Sequence, residues 1–233
     1  MLKPIKNWFS KRDVQSWRTA VAAMRREYTG EPLTEEIAGD DPLQLFEQWY
    51  AEAAEQSLFD ANAFVLSTVS DNRPHGRVVL LKGFDERGLV FYTNYESDKA
   101  RQIEANPEVS LTFNWPESFR QLRAEGQAER ISRKESDAYF NARPTESNLS
   151  AVISPQSRVV ESRQWLEQKQ DVLKTSLQDT GETLKRPENW GGYRIRPRYW
   201  EFWQGRTGRL HDRIVFIQDE TNPAVWKKQR LAP

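Results

Sequence analysis

Apolar positions along the chain change their period twice. Val14, Trp17, Val21 and Met24 recur at helical spacing within residues 13–28, and after Asp41-Pro42 the same spacing returns in Leu43, Phe46, Trp49, Tyr50 and Ala53. This predicts two helices joined by a polar linker, the second behind an Asp41 N-cap. From Ala63 the pattern is that of strands: AFVLSTVS, RVVLLKGF and LVFYTNY are β-branched and aromatic runs separated by turn residues at 71–74 and 85–88. They predict an antiparallel meander. Ser97-Asp98-Lys99-Ala100 opens a short helix that Asn106-Pro107 ends, and VSLTFNW and FRQLRAEGQAERI resume the strands. Residues 133–178 read as three helical pieces broken near Arg143-Pro144 and Ser154-Pro155. YRIRPRYWEFWQG, RIVFIQ and VWKKQRL then return to strands.

Many short strands joined by turns too short for crossover helices predict a small closed barrel with a helical insert. Composition narrows the chemistry. The 34 basic and 34 acidic side chains cancel, which argues against a chain that coats nucleic acid or an anionic membrane. With no cysteine and two histidines, disulfides, thiolate metal sites and a cysteine nucleophile are excluded, and no metal site is expected. The glycines form neither a dinucleotide-binding nor a P-loop pattern, so any phosphate must be gripped by side chains. No apolar run approaches the ~20 residues that span a bilayer. The basic first dozen residues lack an apolar stretch and a cleavage site, so the expected location is cytoplasmic.

Three groups of residues carry candidate chemistry. Arg77 and Lys82 bracket an apolar strand, and their odd separation puts them on opposite faces. They either snorkel to solvent or serve two different anions. Lys99 sits in a helix's first turn, where the dipole disfavours a cation unless an anion binds beside it. Tyr139, Arg143 and Ser147 are spaced four and four, one helical face if the helix bends at Pro144, and their donors suit a phosphate monoester. A solvated helix surface is the alternative. In WEFWQGRTGRLHDR, alternation sends Trp200, Phe202 and Gln204 to one face and Glu201 and Trp203 to the other, while the following turn presents Arg209, His211 and Arg213. Aromatic walls beside cations fit a flat anionic ligand; the alternative is a Trp-rich core with an Asp212–Arg213 pair.

Taken together, RVVLLK, FYTNYESDKARQIEANP, RQLRAEG, YFNARPTES, SPQSR, NWGGYRI, EFWQG, RLHDR and RLAP resemble pyridoxine (pyridoxamine) 5′-phosphate oxidases, from about Met24 to Pro233. The resemblance implies a mainly β fold with α, a split Greek-key β-barrel with peripheral helices that binds FMN and dimerises. Residues 1–40 would be an N-terminal helical segment and linker, and 41–233 a single FMN-binding domain. The implied reaction oxidises pyridoxine 5′-phosphate and pyridoxamine 5′-phosphate to pyridoxal 5′-phosphate, with O2 as acceptor and H2O2 as product.

By motif, Arg77, Lys99, Gln156 and Ser157 resemble the FMN phosphate and ribityl contacts, with Val78, Val79, Leu80 and Leu81 beside the flavin. Tyr92, Thr93, Gln121, Trp203 and Arg213 resemble further flavin contacts, and Lys82 borders both ligands. Lys82, Tyr139, Arg143 and Ser147 resemble the substrate-phosphate clamp. Arg209 and His211 resemble the catalytic pair over the pyridine ring, and Arg25 and Tyr28 an N-terminal segment that closes over the site. One position departs from the family pattern: Asp98 stands where a basic residue commonly precedes the lysine. Two rival readings are a related phenazine-type flavin oxidase and a non-catalytic flavin or pyridoxal-phosphate carrier. A third is a nucleic-acid binder using Arg194, Arg196 and Arg198.

Overall fold

Nine antiparallel strands form the body of the molecule in a computed structural model that describes residues 20–22, 24–56 and 60–233. Val14 and Trp17 of the expected first helix lie outside the described residues. Residues 20–22 are helical, but the chain is no longer helical from Met24, so the expected helix to Tyr28 stops short. The short helix α1 (Glu35–Ala38) follows an N-cap in which Thr34 accepts from Ile37 N–H. Helix α2 (Pro42–Gln56) starts as its sequence predicts, with proline at the first helical position and Asp41 accepting from Leu43 N–H at 2.8 Å. It buries Leu45, Phe46, Trp49 and Ala53 in the same core that takes Leu33 and Ala38.

The strands are β1 (Ala63–Ser70), β2 (Arg73–Leu80), β3 (Gly83–Asp85), β4 (Gly88–Asn94), β5 (Glu108–Trp115), β6 (Arg120–Arg130), β7 (Trp190–Gln204), β8 (Asp212–Gln218) and β9 (Trp226–Arg230). Their order is β2-β1-β5-β6-β7-β4-β3, with β8 on the far half of β7 and β9 on β8. The expected meander is therefore only partly formed. β1 and β2 pair, but the run RVVLLKGF breaks after Leu80, and β4 pairs with β3 and β7. Nor does the barrel close by hydrogen bonds, because β2 and β4 approach without pairing. The β1–β2 turn is Asp71-Asn72, both at positive φ, and Pro74 is already strand. An edge strand accommodates it because the missing N–H faces no neighbour.

β7 is the longest strand, and it spans the molecule: residues 190–195 pair with β4 and 199–204 with β8. Opposite Glu125 and Gly126 of β6 it carries a bulge, Arg198 being the residue without a partner. A side chain at Gly126 would run into the Arg196 carbonyl, so the close approach of the two backbones requires glycine there.

Helix α3 (Asp98–Ala105) follows the Ser97 N-cap. Helices α4 (Arg133–Ala142) and α5 (Thr145–Ile153) meet at Arg143-Pro144, and α6 (Arg163–Thr180) follows. The expected three pieces are all present. The first two do not run on as one bent helix, since proline pushes Arg143 to an extended conformation with ψ 154°. No described helix is long and apolar enough to cross a membrane.

Candidate active site

Two cations lie side by side where α3 meets the sheet. Pairing of Leu66 with Arg77 turns Arg77 to the inner face of β2, where it donates to Thr68 Oγ1 at 2.7 Å, Leu66 O at 3.2 Å and Gln102 Oε1 at 2.8 Å. Lys99 Nζ donates to Thr93 Oγ1 at 3.2 Å and Ser97 Oγ at 3.4 Å. Every one of these partners is neutral. Burial holds both groups below their ordinary pKa, and for Lys99 the neighbouring Arg77 charge adds to the effect. Asp98 pulls the other way on both, but its exposed carboxylate is ion-paired with Arg101. Among the described residues neither half-buried cation has a carboxylate of its own, a donor set with the charge and geometry to take a dianion.

A cavity of about 650 Å³ opens beside Lys99. One wall is Val78, Val79, Leu80 and Lys82, and a second is Tyr92, Thr93 and Asn94 of β4. The third comes from the α4–α5 junction, where Tyr139, Arg143 and Ser147 share the cavity even though the helix is broken between them. Arg143 lies over the Trp190 ring at 4.5 Å and donates to Asn148 Oδ1 and Ser147 O, both at 3.2 Å. Burial lowers its pKa, though never enough to uncharge a guanidinium. Tyr139 stacks on Tyr92 with centroids 3.8 Å apart. Burial, followed by the Tyr139 hydroxyl, pushes Tyr92 up to about 12, and burial raises Tyr139 too, so both remain hydroxyl donors at neutral pH. Gln156 Oε1 accepts from Thr93 Oγ1 at 3.1 Å and Asn94 N–H at 3.3 Å, which fixes it at the cavity edge.

A second set gathers at the other end of β7. Trp203 pairs with Gln121 on β6 and Arg213 on β8. Tyr28 packs edge-on against Trp203 at 5.6 Å and His211 at 5.3 Å, and Arg209 lies 5.8 Å from the Tyr28 ring. A cavity of about 360 Å³ adjoins Tyr28, Gln121 and Trp203. Gly205 is required here, since a Cβ would come within 2.6 Å of the Tyr28 ring. Gly192 faces Tyr92, and Trp203 is eleven residues further along β7, a path of about 35 Å at ~3.3 Å per residue. One chain therefore holds the two sets apart.

Several expected residues sit elsewhere. Leu81 is buried in the core, and its N–H and C=O both bond to Asn62. Ser157 is exposed, at φ 69°, and is not on the cavity wall. Arg25 is exposed and donates to the carbonyls of Ala22 and Met24 in its own segment. Asp212 does not pair with Arg213: it takes Arg230 at 2.7 Å and Leu33 N–H at 3.1 Å, while Arg213 binds Glu201 at 2.7 Å. Arg194, Arg196 and Arg198 form no free basic patch, each being matched to an acid, Arg194 to Asp85 and Glu135, Arg196 to Glu129 and Arg198 to Glu108. Sequence reasoning missed Trp190, Thr68 and Gln102, and also Ser150 and Ser154, which line the cavity with Ser147. The serines were findable: 147, 150 and 154 share a helical face.

Residues 50–175 match the family model described as pyridoxamine 5′-phosphate oxidase, and 190–233 match the pyridoxine 5′-phosphate oxidase C-terminal dimerisation region. The chain belongs to the pyridoxamine 5′-phosphate oxidase family of enzymes. The larger cavity falls mostly in the first matched region, and Trp203, Arg209, His211 and Arg213 fall in the second. A pyridoxine/pyridoxamine 5′-phosphate oxidase of Rubrobacter xylanophilus is 49% identical over 93% of this chain and 98% of its own. Its counterpart in Pseudomonas paraeruginosa is 47% identical over 92% and 99%. Among solved structures, PhzG of Burkholderia lata, in complex with tetrahydrophenazine-1-carboxylic acid, superposes with a TM-score of 0.79 at 27% identity, covering 88% of this chain and all of that one. A pyridoxamine 5′-phosphate oxidase-related, FMN-binding protein of Nostoc punctiforme shares the fold, with a TM-score of 0.66 at 18% identity over 84% of this chain and all of its own.

Proposed function

We propose that the chain is an FMN-dependent oxidase that converts pyridoxine 5′-phosphate and pyridoxamine 5′-phosphate to pyridoxal 5′-phosphate in the cytoplasm, working as a homodimer. The observation that carries this reading is that one cavity region presents two separate groups of cations with no ion pair to an acid among the described residues. Arg77 and Lys99 form one group, Lys82 and Arg143 the other. A phosphorylated cofactor and a phosphorylated substrate would each take one. A phenazine-type substrate offers a single carboxylate and no phosphate, and two cations with the Tyr139 and Ser147 hydroxyls suit the phosphate ester better than the ligand of PhzG.

The residues present fit FMN. Arg77 and Lys99 would hold its phosphate with Gln156 beside them, and β2 is an edge strand, so alternate main-chain groups along Val78–Leu80 lack a ladder partner and can meet a flat polar ring. FMN held there would supply the redox chemistry, a two-electron oxidation at substrate C4′ with O2 as final acceptor and H2O2 as product. The protein supplies orientation. Arg143, Lys82 and the Tyr139 and Ser147 hydroxyls would grip the substrate phosphate and so fix one end of its ring. Arg209, His211, Trp203 and Gln121 cannot reach this cavity in their own chain, and they lie mostly in the dimerisation region, so a second copy would supply them. The outer face of β1–β2 beside the cavity leaves Val65, Val69, Val78 and Leu80 exposed, as a surface awaiting that copy would.

Anaerobic mixing with pyridoxine 5′-phosphate tests the reading: the yellow flavin should bleach, and air should restore it. Arg143→Ala should bleach as fully but need about ten to a hundred times more substrate, the loss of a charge-assisted contact worth about 1.5–3 kcal/mol. A flavin that stays yellow at every substrate concentration would refute turnover.

Asp98 makes a separate expectation. Its charge suits the first turn of α3 and pairs with Arg101, yet it lies close enough to act on both Arg77 and Lys99. Asp98→Asn should slightly lower the melting temperature of the FMN-free protein and tighten FMN several-fold at low salt, since an exposed like charge costs the phosphate about 1 kcal/mol. Calorimetric titration at low and high salt measures this, and equal low-salt affinities would refute it.

A further inference from the structure

The loop between β7 and β8 folds back on itself. A single 3-10 turn at Thr207–Arg209, with Gly208 and Arg209 both at φ 64°, brings the main-chain N–H of Arg206 to 3.0 Å from His211 Nδ1. A backbone amide can only donate. Nδ1 must therefore offer its lone pair, and a neutral ring then carries its proton on Nε2.

We propose that His211 serves as a neutral hydrogen-bond donor through Nε2, its tautomer set by the Arg206 amide, and not as a base that accepts the substrate's proton. The proposal rests on the oxidase reading above and assigns the role of this one ring within it. Among the described residues Nε2 has no hydrogen-bond partner, so the donor is available to an oxygen of the substrate.

The loop that carries this amide is tied down on both sides. Gly205 N–H donates to Phe119 O at 2.8 Å, Arg206 Nη1 to Gly30 O at 2.5 Å, and Asp212 accepts from Leu33 N–H at 3.1 Å. The surroundings also resist a charged ring. Trp203 from β7 lies 4.7 Å away, Tyr28 from the N-terminal segment 5.3 Å, and the neighbouring ionic groups in the loop are the Arg206 and Arg209 guanidiniums. The nearby carboxylates are turned elsewhere: Asp212 to Leu33, Arg206 and Arg230, and Glu27 to the Gly208 N–H at 3.3 Å. Protonating Nδ1 would set one N–H against another. Burial and then the Arg209 charge lower the pKa of the ring, in the same direction.

The chain has two histidines, so the full-length protein labelled with ring-15N histidine gives two sets of signals, and His75→Gln assigns them. The expected result for His211 is a bare Nδ1 and a protonated Nε2, with and without FMN, the ring charging only below the ordinary histidine value. A proton on Nδ1, a mixture of tautomers, or charging at or above that value would overturn the proposal. Kinetics give the second arm. Glutamine keeps a donor, so His211→Gln should lose no more than about tenfold in kcat/KM and keep the wild-type acid limb of the pH profile, whereas His211→Leu should lose more. An acid limb that disappears in His211→Gln would mark the ring as the proton acceptor and overturn the proposal. Absence of turnover in the wild-type protein would defeat the oxidase reading alone, because the NMR result needs no substrate.

Discussion

Replacing Lys99 with methionine is expected to weaken FMN binding by roughly one to two decades while raising the melting temperature of the FMN-free protein. Lys99 is half-buried beside Arg77 and bonds to two neutral hydroxyls, so its charge destabilises the empty fold. Toward a phosphate the same charge is worth about 1.5–3 kcal/mol as a charge-assisted contact. A structural lysine would lose stability on replacement, and a ligand-binding one gains it at the expense of affinity. Flavin-fluorescence titration and thermal melts of the FMN-free proteins read the two effects. Unchanged FMN affinity would remove Lys99 from the cofactor site.

Glu201→Gln should destabilise the fold by about 3 kcal/mol, because it removes a buried carboxylate's charge-assisted contacts to two arginines, worth about 1.5–3 kcal/mol each, of which Arg123 recovers part from Glu125. For a chain of this length that is a fall of about 6–12 °C in melting temperature. Glu201 is only 5% exposed and sits between Arg123 and Arg213, each at 2.7 Å. Burial alone would raise its pKa, but the hydrogen bonds from Arg213 and then Arg123 outweigh this and hold the carboxyl below its ordinary range. A carboxylate with a depressed pKa contributes stability above its unfolded value, about 4.3, and loses it as pH falls through the folded value. The gap between wild type and variant should therefore be full at pH 7 and shrink in acid. Denaturant unfolding at both pH values measures it, and a gap that does not change with pH would mean that the loss comes from packing. Arg213 should also lose its fixed position, since Glu201 and the Ala232 carbonyl at 2.8 Å are what hold it.

Elements governed by local rules were legible in the chain. The Asp41 and Ser97 caps, the stop at Pro107 and the breaks near Pro144 and Pro155 all follow from dihedral preferences and nearby side chains, which sequence neighbours supply. Alternation along β7 separated Trp200, Phe202 and Gln204 from Glu201 and Trp203, and all but Trp203 are buried. It could not reveal that Glu201 is buried as well, because Arg123 and Arg213 come from the strands on either side.

The amino-acid sequence by itself determined which residues bear charge, hydroxyl and ring, where the capped and proline-ended helices start and stop, and through its motifs the family. Tertiary structure alone decided how the strands pair, and with that which residues meet. RVVLLKGF and LVFYTNY are neighbours in the chain yet do not pair, because β4 finds its partners in β3 and in a strand a hundred residues on. Tyr139 and Ser147 share a cavity across a broken helix through another long-range contact, the packing of α4 and of Arg143 at the α4–α5 junction against Trp190. Most decisively, the register along β7 carries Trp203 far from Tyr92. Local sequence sets the faces of a strand, but only long-range pairing sets the distance between its ends.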